Sequence, residues 1–449
     1  MTEAAWHEAR LIPTSGISGA EEQEQRATSA LLAVLGAVRE FGQGLLKPLG
    51  APSGLIETFV EVPFDLAGRR IFPDGLIRVT RGKREWVSLV EVKTGRNNLN
   101  GEQLENYLDV AKEQGFDALI TISNEIPPAV GVHPTKVDKR KLRKVAIHHW
   151  SWTFVLSTAV VQKEHRGVSD PEQAWILGEL IRYLEHPRSG AMELEDMGSS
   201  WVPVRQAVTS GTLRSGDVGA ADVVARWDAL LRYVGLRLGR ELGTDVTQVL
   251  SRKEVAEPQL RVQALVESLA SQGQLFGALK VPDAVAPIHI TADLRAGQVS
   301  CHVDVEAPRE GRPTTRVNWL IRQLKNAPAD ARLEAFVLNG RGPGVTELLG
   351  KVRDDPSLLV QDPKREIKSF RVAVSFPLGT KRGRGRGAFI DSVVESVDTC
   401  YADVLQQLKA WVARPPRMRD VDLPPAKESA LSSTALSSQD GPDYEGQDS

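Results

Sequence analysis

Apolar residues recur at helical spacing in EEQEQRATSALLAVLGAVREFG, where Leu31, Leu35, Val38, Phe41 and Leu45 fall on one face. This pattern predicts one core helix after the polar, glycine-containing segment Pro13 to Ala20. A shorter period then takes over: IETFVEVPF reads as a strand, and GLIRVT, the turn RGKR and WVSLVEV read as a hairpin. The polar loop TGRNNLNG leads into an amphipathic helix, EQLENYLDVAKEQG, and then into the apolar strand FDALITIS. A helix cannot leave its apolar face in water. The order helix, strand, hairpin, helix, strand therefore implies an α/β unit with a mixed sheet and a helix on each face.

A basic segment, KVDKRKLRK, precedes a further strand, VAIHHWSW, and the helical pattern DPEQAWILGELIRYLEH closes a first domain, residues 1–195. Residues 196–280 read as a helical connector, dominated by AADVVARWDALLRYVGLRLGRELG and punctuated by Gly and Ser. Residues 281–415 read as an α+β domain: strands PIHITADL and QVSCHVDVE, helix TRVNWLIRQLK, strands RLEAFVL and IKSFRVAVSF, and a closing helix, SVVESVDTCYADVLQQLKAWV. Residues 416–449 are rich in Pro, Ser, Asp and Gly with few large apolar side chains, the composition of a disordered tail. No internal repeat is present.

Composition narrows the class without naming a function. Apolar residues at 41% and charged residues at 25% of 449 are ordinary for a globular chain with more than one domain. The net charge is −2, so attraction for nucleic acid has to come from local basic patches. Cys301 and Cys400 are the only cysteines, too few for a disulfide framework or a cysteine zinc site, which fits a reducing cytoplasm. The start MTEAAWHEAR has no basic-then-apolar order, and the longest apolar stretch, around Ala30 to Val38, is far short of a membrane span. A soluble, unexported protein with no membrane partner is expected.

The chemistry concentrates in IFPDGLIRVTRGKREWVSLVEVKTG. A two-residue turn at Gly82 and Lys83 sets Asp74 opposite Glu91, where like charges destabilise unless something compensates them. A divalent cation would do so. Glu91 and Lys93 share one face of their strand, with the Val92 carbonyl between them, so these groups can surround one point suited to Mg²⁺. Such a cation beside an ammonium points to phosphodiester hydrolysis. Charged hairpin ends are common, and a solvated rim is the competing reading. Against it, Glu91 and Lys93 follow the apolar run WVSLV, as they would at the end of a buried strand.

The ordered set PDG, then EVK, in this succession of elements resembles the PD-(D/E)XK nuclease superfamily over roughly residues 20–125. The resemblance implies a restriction-endonuclease-like fold, Mg²⁺ or Mn²⁺ as cofactor, and nucleic acid, with DNA favoured, as partner. It implies Asp74 and Glu91 as metal ligands, assisted by the Val92 carbonyl, and Lys93 directed at the attacking water. The family's acidic ligand on the preceding helix falls on Glu24 in preference to Glu21 or Glu22, with Glu57 and Glu61 as competitors for that role. The family's Gln and Tyr one turn apart fall on Gln103 and Tyr107, which would face the site.

Two basic segments are candidates for phosphate contact: Lys136, Lys139 and Arg140, with Lys141, Arg143 and Lys144, and the glycine-spaced Lys381, Arg382, Arg384 and Arg386. His148 and His149 are adjacent on a strand and point to opposite faces, so they read as structural. NGRGPG, residues 339–344, matches no phosphate-binding loop and reads as a turn before a helix. Two functions follow: a metal-dependent nuclease serving repair, stress response or defence, or a non-catalytic nucleic-acid- or protein-binding factor that keeps the fold. The second domain is then a possible contact surface for a protein partner.

Overall fold

The computed structural model describes residues 10–15, 17, 19–127 and 132–413. The first apolar repeat folds as two helices, α1 (Ala20–Ala37) and α2 (Arg39–Leu46), which corrects the single helix expected. The chain turns by 105° where Val38 adopts an extended conformation, φ −102° and ψ 96°. Gly42 makes the bend possible, because a Cβ there would run into the Leu35 carbonyl oxygen. All five apolar positions of the repeat are still buried, since the bend wraps them around one core. Among the described residues no single helix is long and apolar enough to cross a membrane; the bent α1–α2 pair passes by length and composition, and its apolar side chains are packed inside the core.

The next elements are β1 (Leu55–Val60), β2 (Phe64–Leu66), β3 (Arg69–Ile71), β4 (Gly75–Arg81), β5 (Arg84–Val92), α3 (Gly101–Gln114), β6 (Ala118–Ser123), β7 (Ala146–Ser151), α4 (Trp152–Val160) and α5 (Pro171–Leu184). The expected strand IETFVEVPF is split: Glu61, at φ 51°, ends β1, and the remainder enters a small β2–β3 hairpin that was not anticipated. Helix α4 was not anticipated either. The main sheet has the order β1-β4-β5-β6-β7, antiparallel through β1, β4 and β5 and parallel through β5, β6 and β7. Helices α1, α2, α4 and α5 bury one face with Ile77, Val90, Val92, Ile120 and Ile122. Helix α3 buries the other with Leu76, Leu89 and Leu119. Every residue of β6 is buried, as expected of a strand covered on both faces.

Beyond residue 195 come α6 (Trp201–Thr209), α7 (Val218–Leu242), β8 (Thr247–Gln248), α8 (Arg252–Ala256), α9 (Pro258–Ser271), β9 (Gln274–Lys280), β10 (Ile288–Asp293), β11 (Gln298–Glu306), α10 (Pro313–Gln323), β12 (Arg332–Val337), β13 (Val345–Leu348), α11 (Leu349–Asp354), β14 (Ile367–Pro377) and α12 (Phe389–Asp403). The strands form an antiparallel sheet in the order β13-β12-β14-β11-β10-β9-β8. The stretch read as a connector supplies two of these strands and much of their core. Trp227 of α7 is fully buried and donates to the Phe276 carbonyl at 3.0 Å, and Trp201 packs on Phe389 with ring centroids 4.3 Å apart. Helix α7 also packs against α4, so the two sheets are joined through helices.

The closing helix ends at Asp403, shorter than its pattern suggested, because Val404 leaves helical geometry. NGRGPG joins β12 to β13 and precedes a strand, with Asn339 and Gly342 at positive φ as a turn requires. A separate C-terminal unit, Val412–Ser449, holds only two described residues, and the tail expected at 416–449 lies outside the described residues.

The α1–α2 bend gives a paired prediction. Gly42→Ala should destabilise the fold by about 1–3 kcal/mol through overpacking. Gly44→Ala, whose Cβ meets nothing within 4 Å, should stabilise it by up to about 1 kcal/mol. Urea denaturation of the two variants checks this, and equal effects would contradict the bend geometry.

Candidate functional site

The β4–β5 register sets the site. Gly75 pairs with Val90 and Arg81 with Arg84, around a two-residue turn that starts at Gly82 with φ 59°. Asp74 and Glu91 lie one step past the last of these pairs, at the end where β4 begins and β5 finishes. Asp74 Oδ2 accepts from the Val92 N–H at 2.7 Å, and its backbone carbonyl accepts from the Glu61 N–H at 3.3 Å. At Gly75 a Cβ would collide with the Leu32 side chain, so α1 presses directly on the start of β4.

Glu91 is 1% exposed, the most deeply buried acid of the cluster. Lys93 Nζ stands 2.7 Å from its Oε1 as an ion pair. Burial, then the Asp74 charge, push the Glu91 carboxyl up to about 8, against the pull of Lys93. Burial also raises Asp74, opposed by the Val92 N–H and by Lys93. Lys93 Nζ further contacts Glu24 Oε1 at 2.7 Å and the Val92 carbonyl at 3.0 Å. Burial would lower this ammonium, but Glu91 and Glu24 outweigh it and hold it above its ordinary value. Lys93 is therefore a charged donor at neutral pH.

Helix α3 is capped by Asn100, whose side chain accepts from the N–H groups of Glu102 and Gln103. Gln103 Nε2 donates to the Tyr107 hydroxyl at 2.9 Å, and that hydroxyl donates to the Phe72 carbonyl at 3.2 Å. The Tyr107 phenol is raised by burial and by the neighbouring Glu91 charge. The structure thus gathers Asp74, Glu91, Val92, Lys93, Glu24, Gln103 and Tyr107. Glu57 is turned away to Arg78 at 3.0 Å, and the Glu61 carboxylate accepts from Gln25 at 3.4 Å.

Several supporting residues had no signal in the sequence, because their partners are remote in the chain. Trp152 Nε1 donates to the Lys93 carbonyl at 2.9 Å, fixing the backbone under the ammonium. Asn124 Nδ2 donates to the carbonyls of Gly95 at 2.9 Å and Gly190 at 2.8 Å, and its Oδ1 accepts from the Met192 N–H. His149, placed away from His148 as expected, shares Thr121 Oγ1 with His133, each at 2.8 Å.

The basic segments differ in how free they are. The Lys136 carbonyl lies beside Gly101 at the start of α3, Lys139 is exposed, and Arg140 pairs with Asp138 at 2.8 Å. Lys141 pairs with Asp109 at 2.6 Å. In the second segment Arg382 pairs with Asp196 at 2.8 Å, and Arg384 pairs with Asp391 at 2.6 Å while donating to the Tyr233 hydroxyl and the Leu194 carbonyl. Lys381 and Arg386 are exposed. A cleft of about 330 Å³ lined by Arg70, Asn100, Gln103, Asn106 and Tyr107 adjoins the acidic cluster. A larger one, about 800 Å³, lies between the end of β14 and α12, where Arg384 already faces Asp391; of the candidate site residues, Gln103 and Tyr107 line the smaller cleft.

No family model matches the chain, and neither does any curated protein or solved structure.

A carboxyl whose pKa is raised by folding stabilises the fold fully below its ordinary value and loses that contribution as pH rises through the raised value. For Glu91 the window runs from 4.5 to about 8. In EDTA the melting temperature should fall across that window and fall less in Glu91→Gln; parallel curves would contradict a Glu91 carboxyl raised by burial. Arg384→Ala should destabilise by about 1–3 kcal/mol in a denaturant titration. Replacing Lys381 and Arg386 with Ala should change stability by about 0.5 kcal/mol or less, and equal losses would show that the ties of Arg384 carry no stability.

Proposed function

We propose that this chain is a metal-dependent nuclease of the PD-(D/E)XK type, with a restriction-endonuclease-like core, hydrolysing phosphodiester bonds with DNA as the favoured substrate. The observation that carries the reading is the buried Glu91 carboxylate, set beside a second raised acid, Asp74, and against the Lys93 ammonium. Two acids raised together in one buried place compete for a proton or a cation. Further support comes from the mixed sheet with α1 on one face and α3 on the other, which bring Glu24, Gln103 and Tyr107 to the same point.

The donor set fits a hard cation. Asp74, Glu91 and the Val92 carbonyl, with Glu24, are the oxygen groups that would hold Mg²⁺ or Mn²⁺. Lys93 already uses a Glu91 oxygen and the Val92 carbonyl, so these acceptors demand positive charge. When bound, such an ion supplies charge stabilisation at the phosphoryl oxygens and acidifies water. The rest falls to the chain. The Lys93 ammonium orients the attacking water, and Glu24 and Glu91 keep it charged. The Tyr107 hydroxyl, kept neutral by burial and aligned by Gln103, gives its one proton to the Phe72 carbonyl, and the residue lines the cleft. Arg70 lines the same cleft, where its guanidinium would meet a phosphate.

The test incubates the full chain with plasmid and with linear single-stranded DNA in Mg²⁺ or Mn²⁺, beside Asp74→Ala and Lys93→Ala. Cleavage should drop by about 10²-fold or more in each variant. Mg²⁺ should also raise the melting temperature at pH 8 in wild type and not in Glu91→Gln. Absence of cleavage and of the Mg²⁺ shift, with DNA retention that depends on Lys381 and Arg386, would favour the binding factor instead.

A further inference from the structure

A second group of metal-ligating side chains lies outside the acidic cluster, on the second sheet. His289 of β10 and His302 of β11 are direct cross-strand partners, and Asp304 follows two residues later on the same face. The two imidazole rings stack with centroids 4.8 Å apart and planes 9° from parallel. One donor atom from each of the three residues lies within 4.8 Å of the others. Their strand neighbours Val303 and Val305 point into the core, so the backbone beneath them is fixed by packing. All three are half-buried, and solvent can reach them.

We propose that His289, His302 and Asp304 form a transition-metal site of the Zn²⁺ class, with a fourth position open to solvent. Two imidazoles and one carboxylate are a borderline donor set, suited to Zn²⁺ and unlike the all-oxygen set around Glu91. Imidazole must be neutral to bind a metal. Arg371 of β14 is the cross-strand partner of Asp304. Arg371 also grips Asp304 with both nitrogens, Nε at 2.8 Å and Nη2 at 3.0 Å. Each carboxylate oxygen keeps a second lone pair, and the guanidinium fixes the orientation of the carboxylate, as outer groups do for metal ligands. Tetrahedral donors at bonds of about 2.0–2.2 Å stand about 3.3–3.5 Å apart. Metal binding therefore has to draw the three donor atoms closer than the 4.8 Å within which they now lie. The sequence carried only a faint sign of this, the alternation IHIT and CHVDVE in successive strands.

The experiment titrates the EDTA-treated full chain with Co²⁺ in excess Mg²⁺ and follows the visible absorption of the bound ion, with Zn²⁺ as competitor. The expected result is one Co²⁺ per chain, displaced by Zn²⁺, with the absorption lost in His302→Ala and His289→Ala and kept in Glu91→Gln. His302→Gln and His289→Gln, checked by circular dichroism, serve should either alanine variant fail to fold. Absence of stoichiometric Co²⁺ binding, a spectrum unchanged in the folded histidine variants, or loss of the spectrum in Glu91→Gln would each overturn the site. Because the readout is metal binding and not cleavage, it stands whether or not the chain is a nuclease.

Discussion

A carboxylate at the end of a strand buried on both faces has to be compensated, and the surroundings of Glu91 follow from that demand. Lys93 meets it two residues later on the same face, and Glu24 of α1 accepts from the same ammonium. The helix must therefore lie close to the sheet. Gly75 allows this by presenting no side chain to Leu32, and the turn at Val38 lets α2 fold back over the same core. An apolar residue at position 91 would remove the electrostatic reason for the whole arrangement.

The same logic separates functional charge from structural charge elsewhere. Asp228 and Arg261 are also buried, but they face each other with hydrogen bonds of 2.7 and 2.9 Å and leave little unsatisfied. Arg316 is buried with three carbonyl oxygens around it. Those groups have their hydrogen bonds completed by fixed partners of opposite charge or by carbonyls, whereas Glu91 shares its buried place with a second acid, Asp74, and one ammonium.

Much of the first unit was legible because it depends on local rules. Strand alternation and a two-residue turn define a register, and the register alone puts residues 74 and 91 side by side. Helical spacing likewise places Gln103 and Tyr107 together. What could not be read depends on contacts between distant segments. The break at Val38 comes from the fit of Gly42 against Leu35, and Trp152 and Asn124 act on loops far away in the chain. Strands β8 and β9 were missed for a related reason: they are short or interrupted by small residues, and only the pairing of β9 with β10 and of β8 with β9 makes them strands. The arginine-glycine segment looked uniformly free because the carboxylates that engage Arg382 and Arg384 are not all nearby in sequence.

Residues 190–197 are bonded at both ends. Gly190 accepts from Gly95 and Asn124, next to the lysine loop, while Leu194 and Asp196 hold Arg384 and Arg382, and the Met197 N–H donates to the Arg382 carbonyl. One stretch of eight residues thus ties the exposed glycine-rich segment of the second half to the loop that follows Lys93 in the first.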